Sequence, residues 1–315
     1  MFARILTRTL HLMAVLVAVG ISSACNHKDP TDPQGPEQQD PVPVTLQFVI
    51  SSDFIDLDAT RSGLRSDLQD YSLTYRCMIY QGTEPKSADK PFAEFSDAAA
   101  DSGFSARTEL IPGQYTLLAW ASYRSERTAF WETGDFDHIS YRHPASFDDG
   151  SLAFLCRETL TVREDTEGFS FTMVPPMARL SIVASDREAI PVDLSNFRTR
   201  IQYLQYYPTA FSLFSNEPVD SEANVHFDCS FLPLSGSDDV EIGADYILVN
   251  GHETSIPLRF EVLNDAGEVL TSYDVTAPLL RGRQTTIRGN FFTGKSSSGT
   301  TIDPSFDGED YFVEF

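Results

Sequence analysis

The chain has 315 residues, with 46 acidic against 23 basic residues and a formal net charge of −23. Such an acidic surface repels phosphate backbones, which speaks against nucleic acid as a partner. With 41% hydrophobic and 12% aromatic residues the chain is too apolar for disorder and long enough for two ordinary cores.

The first 24 residues read as an export signal. Arg4 and Arg8 precede an apolar run from Leu10 to Ile21, followed by the small residues Ser22, Ser23 and Ala24 and then Cys25. The apolar run is too short to span a bilayer as a helix. Cys25 occupies the position at which bacterial lipoproteins are cut and acylated, so residues 1–24 are expected to be a lipoprotein signal peptide with lipidation at Cys25. The alternative is a plain signal cleaved after Ala24. An acylated Cys25 anchors the chain to outer-membrane lipid, with the folded part at the surface. Removing Arg4 and Arg8 with the signal takes the charge from −23 to −25. Residues 25–43 carry five prolines, Pro30, Pro33, Pro36, Pro41 and Pro43, and form an extended tether.

Beyond the tether the sequence alternates in strands. Segments 44–51, 71–80, 113–122, 152–162 and 168–174 are short β-branched and aromatic runs separated by turn residues. Leu73, Tyr75, Cys77 and Ile79 fall on one face of the second run. Pro175 and Pro176 mark a joint, because proline cannot donate to a ladder and restricts its neighbour. The segments 178–185, 197–206, 209–214, 224–231, 245–250, 255–264, 268–275 and 285–293 follow, with NDAG at 264–267 as a hairpin loop. The only helical candidate, 186–197, is interrupted by Pro191 and reads as a crossing loop with a turn of helix. The expected fold is all-β, two tandem antiparallel β-sandwiches over 44–175 and 176–315.

The chemistry-bearing residues give no catalytic pattern. Cys77, Cys156 and Cys229 have no zinc spacing; they read as buried thiols, with a Cys77–Cys156 disulfide as the alternative. His138 and His143 lie near Asp135, Asp137, Asp148 and Asp149, a grouping expected in any acidic loop. His226 and His252 stand apart from one another. At the C-terminus, Asp303, Ser305, Asp307, Gly308 and Glu314 match the oxygen-ligand, turn-glycine and glutamate positions of a calcium loop. Both flanking helices are missing, however, and Tyr311, Val313 and Phe315 alternate, so the tail reads as a turn followed by a final strand. That strand either completes its own sandwich or is donated to another molecule. No catalytic residue, cofactor or metal is expected, and the protein is expected not to be an enzyme.

The stretches LIPGQYTLLAWASY, PPMARLSIVASD, YYPTAFSLFSNEPVD, ADYILVNG and PLLRGRQTTIRGNFFT, followed by IDPSFDG, occur in this order in Bacteroidetes exported lipoproteins. The chain resembles their fimbrillin-like family, of the DUF6562 type. That resemblance implies two transthyretin-like sandwiches and a role as subunit, anchor or tip protein of surface fimbriae, with other fimbrial subunits as partners. It also implies assembly by β-strand addition after an arginine-specific protease removes the first strand. Arg61 and Arg65, in the polar loop after the first strand, are the candidate processing sites. An uncut first strand, as in anchor-type relatives, is the alternative. The alternative function is a surface glycan- or ligand-binding lipoprotein. Trp120, Trp131, Tyr141, Tyr206 and Tyr207 are its candidate stacking residues; Trp120 is expected in the core and Trp131 exposed.

Overall fold

The computed structural model describes residues 39–50, 68, 70–99, 103–189, 194–234, 238–251, 254–293, 299–303 and 311–314. Cys25, Arg61, Arg65, His252 and the turn at 304–310 lie outside the described residues.

The first half contains β1 (Val42–Ile50), β2 (Ser72–Gln81), β3 (Ala93–Ala99), β4 (Gly103–Leu110), β5 (Gly113–Arg124), β6 (Trp131–Glu132), β7 (Ile139–Tyr141), β8 (Ala153–Val162) and β9 (Gly168–Met173). The second contains β10 (Met177–Ala184), β11 (Phe197–Tyr203), β12 (Tyr207–Ser212), β13 (Glu217–Glu222), β14 (His226–Ser230), β15 (Leu232–Pro233) and β16 (Val240–Leu248). It continues through β17 (Thr254–Asn264), β18 (Val269–Leu279), β19 (Gln284–Gly289), β20 (Gly299–Asp303) and β21 (Tyr311–Glu314). The crossing loop at 186–197 carries two short 3-10 turns, Arg187–Ala189 and Leu194–Asn196.

The two halves repeat one topology. In the first, a sheet ordered β4-β1-β9 packs on one ordered β3-β2-β5-β8; in the second, the β16-β10-β19 part of a six-stranded sheet, ordered β15-β16-β10-β19-β20-β21, packs on β14-β11-β17-β18. Strand for strand the orders correspond, with β1 matching β10 and β9 matching β19. The fold is thus all-β sandwich, with one departure from a purely antiparallel pattern. β1 runs antiparallel to β4 but parallel to β9, and β10 runs antiparallel to β16 but parallel to β19. Parallel pairing requires a long connection between the partners. Here the remaining strands of each half supply it.

Side-chain alternation explains how the sheets face each other. In β1, Val44, Leu46, Phe48 and Ile50 are buried while Val49 stays exposed. Phe48 meets Phe104 of β4 and Phe171 of β9 at ring separations of 5.7 and 5.1 Å, and Tyr75 of the opposing sheet stacks on Phe104 at 5.4 Å. Leu73, Tyr75, Cys77 and Ile79 turn inward together, as their spacing requires. In the second half, Phe260 of β17 packs edge-on against Phe291 at 4.9 Å.

β5, β10 and β16 are buried on both faces, so their sequences show no inside/outside alternation and are mostly apolar, with Arg179, Ser181, Glu241 and Asp245 buried among the apolar residues. A fifth sheet accounts for part of this. The insertion β6-β7 between β5 and β8 pairs with the insertion β12-β13 between β11 and β14, in the order β13-β12-β7-β6. It draws strands from both halves of the chain.

The structure departs from the sequence reading at several segments. β3, β4, β6, β7, β13 and β15 were not expected as strands, and β1 begins at Val42, two residues inside the expected tether. Gly299–Asp303, for which no strand was expected, form β20, which joins β19 to β21. The final strand is present as β21 and extends the sheet of its own chain.

Candidate functional site

Two places could carry an interaction: the seat of β1, and the junction where loops of the two halves meet.

β1 lies in the middle of its sheet. Val42 to Val49 face Leu110 to Gly103 on one side, and Thr45 to Ile50 face Gly168 to Met173 on the other. Gly168 is what allows the parallel side to close: a Cβ there would stand 2.5 Å from the carbonyl oxygen of Thr45. The Thr45 N–H also donates to Glu167 O at 3.0 Å. Taking β1 out would leave both neighbours with unpaired backbone groups and open a slot shaped by four apolar side chains.

At the junction, the loop after β7 carries His143 and Phe147 onto the second half. His143 Nε2 lies 3.1 Å from Asp245 Oδ1, and Tyr203 donates its hydroxyl to Asp245 Oδ2 at 2.6 Å. The Tyr246 N–H donates to Asp245 Oδ1 at 2.8 Å, the Tyr207 hydroxyl donates to Tyr246 O at 2.9 Å, and the Tyr246 hydroxyl donates to Asp149 Oδ1 at 2.8 Å. Burial pushes the phenols of Tyr203 and Tyr207 far up, and the charge of Asp245 adds to it. For His143, burial disfavours the imidazolium, but the Asp245 charge and hydrogen bond outweigh it and hold the pKa above the ordinary value. Beside this network Arg179 stacks over Phe147 at 5.5 Å, donates to Glu241 Oε2 at 3.0 Å and donates to Gln284 Oε1 at 2.6 Å. Buried charges of this kind are stable only when paired this completely.

A cleft of about 620 Å³ opens over this junction, between Arg142–Ala145 and Glu222–His226. Of the first-half loop's candidate histidines and acids, His143 lines it, whereas His138, Asp135, Asp137, Asp148 and Asp149 do not. His138 Nε2 reaches Asp220 at 3.0 Å and His143 turns to Asp245, whereas Asp137 accepts from Ser212 and Asp148 caps the short turn at Gly150. Among the described residues, no group of three or more His, Cys, Asp or Glu is placed to hold a metal ion.

The aromatic candidates divide sharply. Trp120 is buried as expected, but Trp131 is buried too: it stacks on Tyr141 at 4.4 Å, meets Trp120 at 5.0 Å and donates its indole N–H to Ser151 O at 2.9 Å. The expectation of an exposed Trp131 is therefore wrong, because β6 is part of the inter-half sheet. Tyr141 and Tyr207 are buried as well, and only Tyr206 points outward, 69% exposed. Sequence reasoning missed Asp245, Glu241 and Arg179 altogether. Their charges sit inside strands whose other residues are apolar, which is the one signal that could have marked them.

Cys77, Cys156 and Cys229 are free and buried. Cys77 and Cys156 both face Ala119, one from each side, so they are two strands apart. That separation, roughly 9–10 Å between Cα atoms, exceeds disulfide range. Burial pushes the thiols of Cys156 and Cys229 up to about 12.

These features define an all-β sandwich protein whose buried polar groups tie strands together. Its family follows from the sequence: the chain belongs to the family of unknown function DUF6562, whose model matches residues 36–314. Among solved structures it is similar to a "putative adhesin" of Bacteroides thetaiotaomicron VPI-5482, at 10% identity over 90% of this chain and 99% of that one, with a TM-score of 0.49. It is also similar to the C-terminally truncated tip fimbrial protein Mfa3 of Porphyromonas gingivalis, at 11% identity over 87% of this chain and 100% of that one, TM-score 0.46. No curated protein matches. Among the described residues, no helix is long and apolar enough to cross a membrane.

Proposed function

We propose that this chain is a non-enzymatic cell-surface lipoprotein, held to outer-membrane lipid through Cys25. In this reading it serves as a fimbrillin-like structural, anchor or adhesive component of surface fimbriae. Its two sandwiches, the first opening with β1 at Val42, are displayed on the tether that follows Cys25.

The observation that carries the reading is the position of β1. It is the first strand after the tether, it sits between two partners, and it precedes the segment containing Arg61 and Arg65. A cut at either arginine would separate β1 from the rest of the sandwich. The vacated slot would offer two rows of backbone groups and a hydrophobic floor, which an extended segment of another subunit could fill.

The test is to treat the purified full-length protein with an arginine-specific protease and follow its mass by light scattering. Loss of the fragment ending at Arg61 or Arg65, accompanied by assemblies larger than a monomer, is the expected result. Native surface material that always begins at Cys25, and that stays monomeric after cutting, would remove strand addition from the account.

A further inference from the structure

The corner between β11 and β12 holds one aromatic ring out beside a small polar pocket. Tyr203 ends β11 and Tyr207 begins β12, and both are buried, anchored through their hydroxyls to Asp245 and to Tyr246 O. Leu204, Gln205 and Tyr206 between them must turn outward, and the Leu204 N–H donates to Pro257 O at 3.0 Å. Tyr206 is thereby presented from a backbone fixed on both sides, which spares a ligand the entropy of ordering it. No other large apolar or aromatic side chain among the described residues is as exposed.

The pocket at its foot has a volume of about 320 Å³, at the small end of ligand sites. Gln205, Glu217, Asn250 and Thr254 line it with hydrogen-bonding side chains, and Pro208 and Ile247 add apolar wall. Arg281 braces the wall at Val249 without lining the pocket itself. Its Nη1 donates to Asn216 Oδ1 at 2.8 Å, and its Nη2 donates to Asn216 O at 2.8 Å and to Val249 O at 3.1 Å. The guanidinium also lies over Phe211 at 5.2 Å. One side chain thus pins the β12-β13 turn, where Asn216 takes a φ of 59°, to the end of β16.

We propose that this pocket binds a neutral sugar ring, with Tyr206 stacked on its C–H face and Gln205, Glu217 and Thr254 exchanging hydrogen bonds with its hydroxyls. An exposed, rigid aromatic plate next to an amide, a carboxylate and a hydroxyl matches a ring that is apolar on its faces and polar around its edge. Glu217 is the one carboxylate among the described lining residues and no cation lines the pocket, in a chain of net charge −23. Carboxylated or sulfated sugars are therefore disfavoured. This binding goes beyond the surface role above and does not depend on it. Sugar binding and strand exchange are read in separate experiments, so either can fail alone.

The test is saturation-transfer NMR on the full chain with the methyl pyranosides of glucose, galactose, mannose and N-acetylglucosamine, and with methyl glucuronide as the charged comparison. Transfer to the ring protons of at least one neutral sugar is expected. Tyr206→Ala should lower it roughly fivefold, while Tyr206→Phe keeps most of it. Unfolding curves of both variants that overlay the parent establish that the pocket, not the fold, has been changed. No transfer from any neutral pyranoside, equal transfer in Tyr206→Ala, or stronger transfer from the glucuronide would overturn the proposal.

Discussion

His143 Nε2 and Asp245 Oδ1 stand 3.1 Å apart although their residues are 102 positions apart in the chain. His143 is in the loop after β7 and Asp245 is inside β16, so this contact, with Tyr203 on the second carboxylate oxygen, fastens one half of the molecule to the other. Tyr141, Tyr207 and Phe227 also surround the imidazole.

The pH dependence of stability follows from that pair. The folded-state pKa of His143 is raised above its unfolded value of about 6.5, so its contribution is complete below that pH and fades as pH rises through the folded-state pKa. Denaturant melts at a series of pH values should show wild-type stability falling on the alkaline side of about 6.5. In His143→Gln that decline should flatten. An unchanged slope in the variant would show that the imidazole is not the titrating group.

Asp245 accepts from Tyr203 and from the Tyr246 N–H besides facing His143. Asp245→Ala should destabilise by about 3 kcal/mol or more, because it leaves several buried donors without an acceptor. Thermal and denaturant unfolding check the magnitude. Glu241→Ala should be at least as damaging, since it strands Arg179, which is 1% exposed.

The seat of β1 makes a sharp contrast between neighbours. Phe48→Ala should cost about 3–5 kcal/mol, as large-to-small changes in cores do. Val49→Ala, on the exposed side of the same strand, should stay within about 0.5 kcal/mol. Comparable losses at both positions would mean that β1 is not held as its register indicates.

Gly168→Ala probes the parallel side of that seat. The added methyl would meet the Thr45 carbonyl, so backbone has to move, at roughly 1–3 kcal/mol. Amide exchange should then speed up in β1 before it does in β10. Uniform loss of protection across both halves would contradict a local effect.

The thiols give a chemical check. With Cys156 and Cys229 pushed up to about 12 by burial, almost no thiolate is present at neutral pH. Cys77, Cys156 and Cys229 should react with a disulfide reagent only after denaturant is added, and mass spectrometry without reductant should find all three free.

Much of the fold was legible because it is written in local patterns. Alternation in 71–80 placed Leu73, Tyr75, Cys77 and Ile79 on one face, and the Pro175–Pro176 step falls at the passage from β9 to β10. β3 and β4 escaped notice because AEFSDAA and GFSARTEL are rich in small and charged residues. Each pairs with a single sheet neighbour, at an edge, where few apolar contacts are demanded.

By itself the sequence determined strand content and the acidic surface, since these depend only on composition and on which neighbours alternate. Tertiary structure decided the parallel pairing of β1 with β9, the sheet built from one insertion of each half, and the burial of Trp131 while Tyr206 remains outside. The reason is common to all three. Each depends on segments distant in sequence meeting in space, and no window along the chain records which distant surface will cover a given face.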